Sequence, residues 1–176
     1  MSMAQSIKNI KTDNIYETRQ LSTSLSIHPK MFNYSDVNEI ILRKLKNKVE
    51  GKCISDGYIK EESVKIISRS LGMLLNHDFN SNINYELIYS AEVCNPKEGQ
   101  LIEVVVDTVD ETNTVCYYMD EDSSPIEIYL FKQHYLENQE YAALTQGDTI
   151  IVKILETQIE FGSKKILAIA EFIKKM

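Results

Sequence analysis

The chain has 176 residues, 43% hydrophobic and 26% charged, with a net charge of −7. That apolar content suffices for a packed core and excludes wholesale disorder, while six glycines and three prolines exclude collagen-like and low-complexity sequence. No apolar run approaches the roughly 18–20 residues that a bilayer crossing needs, and the N-terminus has neither a signal-peptide core nor an arginine-rich amphipathic pattern. A soluble, intracellular protein is expected.

The charge is unevenly spread. Residues 1–94 hold 12 Lys and Arg against 11 Asp and Glu, and residues 95–176 hold 7 against 15, a balance of −8. A domain boundary is therefore expected near Asn95, giving a flexible extension over residues 1–19, a first domain over 20–95 and a second over 96–176. Cys53, Cys94 and Cys116 are odd in number and far apart, so they read as reduced small hydrophobes and not as a disulfide framework or zinc site.

In chain order, residues 21–27 alternate apolar and serine and predict a strand, ended by His28-Pro29. A helix follows, with Ser35 or Asp36 as N-cap. Val37, Ile40, Ile41, Leu45 and Val49 form one apolar stripe, Arg43, Lys44, Lys46 and Lys48 gather at the C-terminal end, and Gly51 stops the helix. The basic group reads as a solvated face that suits the helix dipole. Short strands are expected over 52–54 and 64–71 around an Asp56-Gly57 turn, and a half-buried strand over 85–93 after a polar loop at 76–82. Residues 95–99 break the pattern. Five further strands are expected over 100–109, 114–119, 126–131, 149–155 and 164–172, with a short helical stretch within 134–144. This is the element order of an OB-fold barrel, a small closed barrel of five strands.

Catalytic patterns are scarce. The sequence has no glycine-rich phosphate loop, no G-x-S-x-G elbow and no H-E-x-x-H, and His28, His77 and His134 stand far apart. Asp120, Glu121 and Asp122 lack the alternating oxygen spacing of a calcium loop. No catalytic residue, metal or cofactor is expected, and the chain itself is read as a non-enzyme. Tyr117, Tyr118, Tyr129 and Phe131 fall on the expected second and third barrel strands, where OB-folds stack bases beside basic residues such as Lys132 and Lys153. Alternation is expected to send one of each aromatic pair inward. Tyr117, Tyr118, Tyr129 and Lys132 are thus the candidate RNA contacts.

The first half carries a further pattern: His28-Pro29 and Phe32, the amphipathic helix, Val49-Glu50-Gly51-Lys52-Cys53, Gly57-Tyr58-Ile59, Gly72, the strand over 85–91, and Pro96-Lys97-Glu98-Gly99. In order and spacing this resembles the stalk subunit of archaeal and eukaryotic multisubunit RNA polymerases, the seventh subunit of the polymerase II type, over residues 20–172. The resemblance implies an α+β protein. Its N-terminal ribonucleoprotein-like domain, an antiparallel sheet with one helix, docks on the polymerase core near the clamp. Its all-β OB-fold domain of the S-one type projects toward the RNA exit path. It implies the large polymerase core subunits as partners, a small helical stalk partner, and docking through the turn at Asp56, Gly57, Tyr58, Ile59 and Lys60. Asn33 after Phe32, and Asn113-Thr114-Val115 in place of a glycine and two phenylalanines, depart from the family's pattern. With the acidic balance they imply weak or no direct RNA binding, and no membrane partner is expected. The abundance of Ile, Asn and Lys suggests an AT-rich genome, of a protist or a large DNA virus. The expected location is the nucleus, or the virion and host cytoplasm in the viral case. The competing readings are a free-standing OB-fold RNA-binding or translation factor and a small hydrolase whose acids and histidines converge only in three dimensions.

Overall fold

The computed structural model describes residues 12–32, 36–74, 82–118 and 124–176. Most of the expected extension, His77 and the acidic cluster Asp120, Glu121 and Asp122 lie outside them. The fold is mixed α+β, mostly strand. Two compact units divide it, one of Tyr16–Cys94 with Glu160–Lys164, the other of Asn95–Ile159 and Lys165–Met176 with the described part of Met1–Ile15.

In the first unit β1 (Tyr16–Ile27) pairs antiparallel with β6 (Ile83–Cys94) along all twelve residues, from Tyr16 opposite Cys94 to Ile27 opposite Ile83. The other side of β6 takes three short strands in turn: β5 (Met73–Leu74), β4 (Lys65–Arg69) and β3 (Gly57–Ile59), with β2 (Cys53–Ile54) beyond β3. Helix α1 (Val37–Val49) starts where the Asp36 carboxylate accepts the Asn38 N–H at 3.0 Å. Its stripe of Ile40, Ile41, Leu45 and Val49 is buried against Leu25, Ile27, Leu87 and Tyr89 of the sheet. The helix ends before Gly51, which adopts a left-handed φ of +67°. A Cβ there would stand 2.6 Å from Glu61 Oε1, a side-chain tip that can move aside, so it is the left-handed φ that makes this corner favour glycine.

Two sequence expectations are corrected in this unit. β1 begins at Tyr16, so residues 16–19 belong to a strand and not to a flexible extension. Their polar side chains carry no alternation, and the ladder to β6 is what holds them. Gly57-Tyr58-Ile59, expected as a protruding turn, is strand β3, with Tyr58 4% and Ile59 0% exposed. Glu160–Lys164 completes the unit: Cys53 N–H donates to the Ser163 carbonyl at 2.7 Å, and Gly162 N–H donates to the Cys53 carbonyl at 2.8 Å.

The second unit is a closed barrel of β7 (Leu101–Val109), β8 (Asn113–Tyr117), β9 (Ile126–Phe131), β10 (Thr149–Gln158) and β11 (Ile166–Lys175). Around the barrel the order is β7-β8-β9-β11-β10, closed by pairing of β10 with β7. Among the described strands only β9 and β11 run parallel, an arrangement compatible with an OB-fold. Register shifts in the β7–β8 and β10–β11 ladders supply the bends that closure requires. Between β9 and β10 the short helix α2 (Gln139–Ala142) brings Tyr141 into the barrel. The Tyr141 hydroxyl lies 2.8 Å from Thr114 Oγ1 and donates to the Leu130 carbonyl at 3.2 Å, while its ring stacks on Tyr135 at 4.5 Å and meets Phe172 edge-on. Thr114 is fully buried, so this contact satisfies a hydroxyl that water cannot reach. All three cysteines are buried, and none of them is joined in a disulfide. Among the described residues no helix is long and apolar enough to cross a membrane.

Candidate functional site

Period-two alternation sorts the barrel strands. Thr114, Cys116, Ile126, Ile128 and Leu130 point inward and are buried; Tyr117, Glu127, Tyr129 and Phe131 point outward. Tyr129 and Phe131 are two residues apart and so share a face, which corrects the expectation that one of the pair turns inward. The ladders align this face in rows. Val115, Tyr129, Ile169 and Glu156 stand side by side across β8, β9, β11 and β10, next to a row of Tyr117, Glu127, Leu167 and Gln158. Tyr129, Phe131, Leu167 and Ile169 with Glu156 and Gln158 line a shallow groove of about 250 Å³. Phe131 is 37% and Leu167 42% exposed.

The electrostatics of this face are mixed. Tyr129 Oη donates to Glu127 Oε1 at 2.5 Å, and Lys165 Nζ donates to Glu127 Oε2 at 3.1 Å. The tyrosine hydrogen bond, helped by Lys165, holds the Glu127 carboxyl below its ordinary value; the same bond raises the Tyr129 phenol. Lys165 is thus matched to a carboxylate, and Glu156 adds a second negative charge to the groove lining. Lys132 opens a helical turn, and its Nζ donates to the Asp110 carbonyl at 3.2 Å, away from the groove residues. Tyr118 follows β8, takes the Ser124 hydroxyl as acceptor for its N–H at 3.0 Å, and lines a separate hollow of about 320 Å³ with Asp13, Glu103 and Thr149. Of the candidate RNA contacts, the structure brings Tyr117 and Tyr129 together and leaves Tyr118 and Lys132 elsewhere. Leu167, Ile169 and Glu127 join the face unforeseen. Their alternation was legible, but the parallel β9–β11 register that sets them beside Tyr129 was not.

At the expected docking turn, Gly57, Tyr58 and Ile59 are buried. Ser55 and half-buried Asp56 remain at the turn, with Ser55 Oγ 3.1 Å from Asp56 Oδ2. Lys60 Nζ lies 4.9 Å from the Tyr16 ring centroid and 3.9 Å from Glu92. An aromatic already seated within its own chain offers no anchor to a partner, so Asp56 and Lys60 are the surface groups of this segment.

The helix lysines are also engaged. Lys44 Nζ donates to the Ser26 carbonyl at 3.2 Å, Lys48 Nζ to the Ser24 carbonyl at 2.9 Å, and Lys46 lies 3.9 Å from Glu50. His28 Nδ1 accepts the Lys30 N–H at 3.2 Å, a local turn contact. Burial, then the charge of Asp107, pushes the Cys116 thiol up to about 12, and burial raises Cys53. Such thiols stay protonated and make poor nucleophiles. Among the described residues no three His, Cys, Asp or Glu side chains converge as a metal site. Compared with known proteins, the chain matches no family model and no curated protein.

Proposed function

We propose that this chain is a non-catalytic stalk subunit of a DNA-directed RNA polymerase. In this reading residues 16–94 form a ribonucleoprotein-like docking domain, and the barrel is an OB-fold of the S-one type directed toward the RNA exit path. The observation that carries the reading is the order of parts: a sheet backed by one helix, then Pro96-Lys97-Glu98-Gly99, then a closed five-stranded barrel whose third and fifth strands are parallel. The motif residues also make structural sense. Val49 to Cys53 is the corner between α1 and β2, where a left-handed φ favours Gly51, and Gly57-Tyr58-Ile59 is the strand that follows. The chemistry of transcription resides in the other subunits. The partners are the large core subunits and a small helical stalk subunit, in the nucleus or, for a viral polymerase, in the virion and host cytoplasm.

Docking falls to the turn at Asp56 and to Lys60. The test is recovery of the large polymerase subunits with tagged full-length chain from its own source. The wild type is expected to carry them through a high-salt wash, and Asp56→Arg combined with Lys60→Glu to lower recovery about tenfold, the scale of a lost charged contact. A wild-type chain that sediments apart from any polymerase would sink the proposal. Undiminished recovery with the double variant would remove only this turn from the interface.

The second reading, a free-standing OB-fold RNA-binding or translation factor, draws on one observation, the outward aromatic row of Tyr117, Tyr129 and Phe131.

A further inference from the structure

The hydrogen bonds of β6 fix which way each amide of β1 points. Lys60 N–H donates to the Glu92 carbonyl and Ser70 N–H to the Glu86 carbonyl, both at 2.9 Å, so these two β6 residues turn their backbone groups away from β1. Their partners across the ladder are Thr18 and Ser24. Opposed residues in an antiparallel ladder exchange both hydrogen bonds or neither. Thr18 and Ser24 therefore turn N–H and C=O to the outer edge, and alternation does the same for Gln20, Ser22 and Ser26. The lysine contacts agree: Lys48 and Lys44 reach the Ser24 and Ser26 carbonyls from that outer side. Thr18, Gln20 and Ser22 are exposed, and among the described residues nothing hydrogen-bonds to their outward groups.

Soluble proteins blunt long edge strands with proline, bulges or charge, because an open edge templates another strand. β1 has no proline, its register to β6 runs without a shift, its even-numbered residues from Thr18 to Ser26 are uncharged, and its two charges, Glu17 and Arg19, are paired with each other. The end at Ser24 and Ser26 is closed by the two lysines. The window from Thr18 to Ser22 is open.

We propose that β1 is a self-association edge, on which a second copy of this chain pairs its own β1 antiparallel about a two-fold axis at Gln20. The outward groups of the two strands can bond only when even-numbered residues oppose even-numbered ones. An axis at Gln20 satisfies this, with Thr18 opposite Ser22 of the other copy and Gln20 opposite itself. Charge selects the same occupant. The axis sets Glu17 of one copy opposite Thr23 of the other, and the Thr23 hydroxyl already receives Lys48 Nζ at 2.9 Å. Glu17, whose side chain is 54% exposed and paired with Arg19, gains a second cation, and the contact occurs twice per dimer. Antiparallel pairing brings the acidic start of each strand to the lysine end of the other, whereas parallel pairing would bring lysine end to lysine end. The edge thus carries an acid at its start, with Arg19 paired to it, and two lysines of α1 at its far end, and an antiparallel second copy presents the matching order of charge. The interface is small, so association is weak, with a dissociation constant on the order of 10–100 µM.

This inference is independent of the polymerase reading. The experiment is sedimentation equilibrium of the full-length chain between about 5 and 500 µM, a range that brackets the expected constant. Average mass is expected to rise from one chain toward two. Gln20→Pro removes only an outward N–H, which an edge strand tolerates. It is expected to keep the circular dichroism spectrum and to weaken association at least tenfold. Glu17→Lys and Lys48→Glu are each expected to weaken it about fivefold, and the two together to restore it, which also serves if Gln20→Pro fails to fold. A mass of one chain at every concentration overturns the proposal, including the case in which the edge is reserved for a different protein. So does association that neither Gln20→Pro nor the charge pair alters.

Discussion

At the scale of single residues, the buried hydroxyl pair in the barrel is the sharpest test of the fold. Removing the Tyr141 hydroxyl leaves Thr114 Oγ1 without the partner 2.8 Å away, in a position with no access to water. Tyr141→Phe is expected to cost about 1–3 kcal/mol, the penalty for a buried polar group left unmet. Thr114→Val in the same background is expected to recover part of that loss, so a double-mutant cycle by denaturant unfolding should be markedly non-additive. Two independent losses would show that the contact carries no stability. Little of this was legible in sequence. Thr114 lies on an expected strand and Tyr141 in an expected short helical stretch, but the link between them is made by barrel closure. The same holds for the candidate face, where Tyr117 and Tyr129 could be placed on strands but their apolar neighbours Leu167 and Ile169 could not.

At the scale of elements, α1 is where local and tertiary signals agree. Its stripe, its Asp36 cap and its stop at Gly51 were all readable, because a period of 3.6 residues sustained over thirteen has few competing interpretations. Leu45 is fully buried in the stripe, and Leu45→Ala is expected to destabilise the sheet unit by about 2–5 kcal/mol. Asp36→Ala, which deletes the capping bond, is expected to cost about 1 kcal/mol. Thermal unfolding of the two variants should rank them in that order, and a reversed rank would mean that the helix is held by its cap and not by its packing. The strands over 52–54 and 64–71 were expected and are β2 and β4, but β3 and β5 were not legible, for the opposite reason. They have three residues and two, too few for alternation to register, and Asp56-Gly57 carries ordinary turn chemistry. Their strand character comes from β6, which offers a paired edge to whatever segment lies beside it.

At the scale of the whole molecule, charge governs what the barrel can meet. Seven basic against fifteen acidic residues after Asn95, with Glu127 and Glu156 beside the aromatic row, oppose a phosphate backbone. The full-length chain is expected to bind single-stranded RNA more weakly than about 1 µM at physiological salt, with little gain as salt falls, since few counterions are released. Filter binding over a salt series measures both; tight and steeply salt-dependent binding would favour the free-standing RNA-binding factor over the stalk subunit. The long ladder of the first unit has one more consequence. β1 is synthesised well before its partner β6, which ends at Cys94, opposite Tyr16. Throughout the synthesis of α1 and the short strands, the nascent chain holds Leu25 and Ile27 without the strand that fixes them, so birth of this domain is the interval in which a chaperone has most to guard.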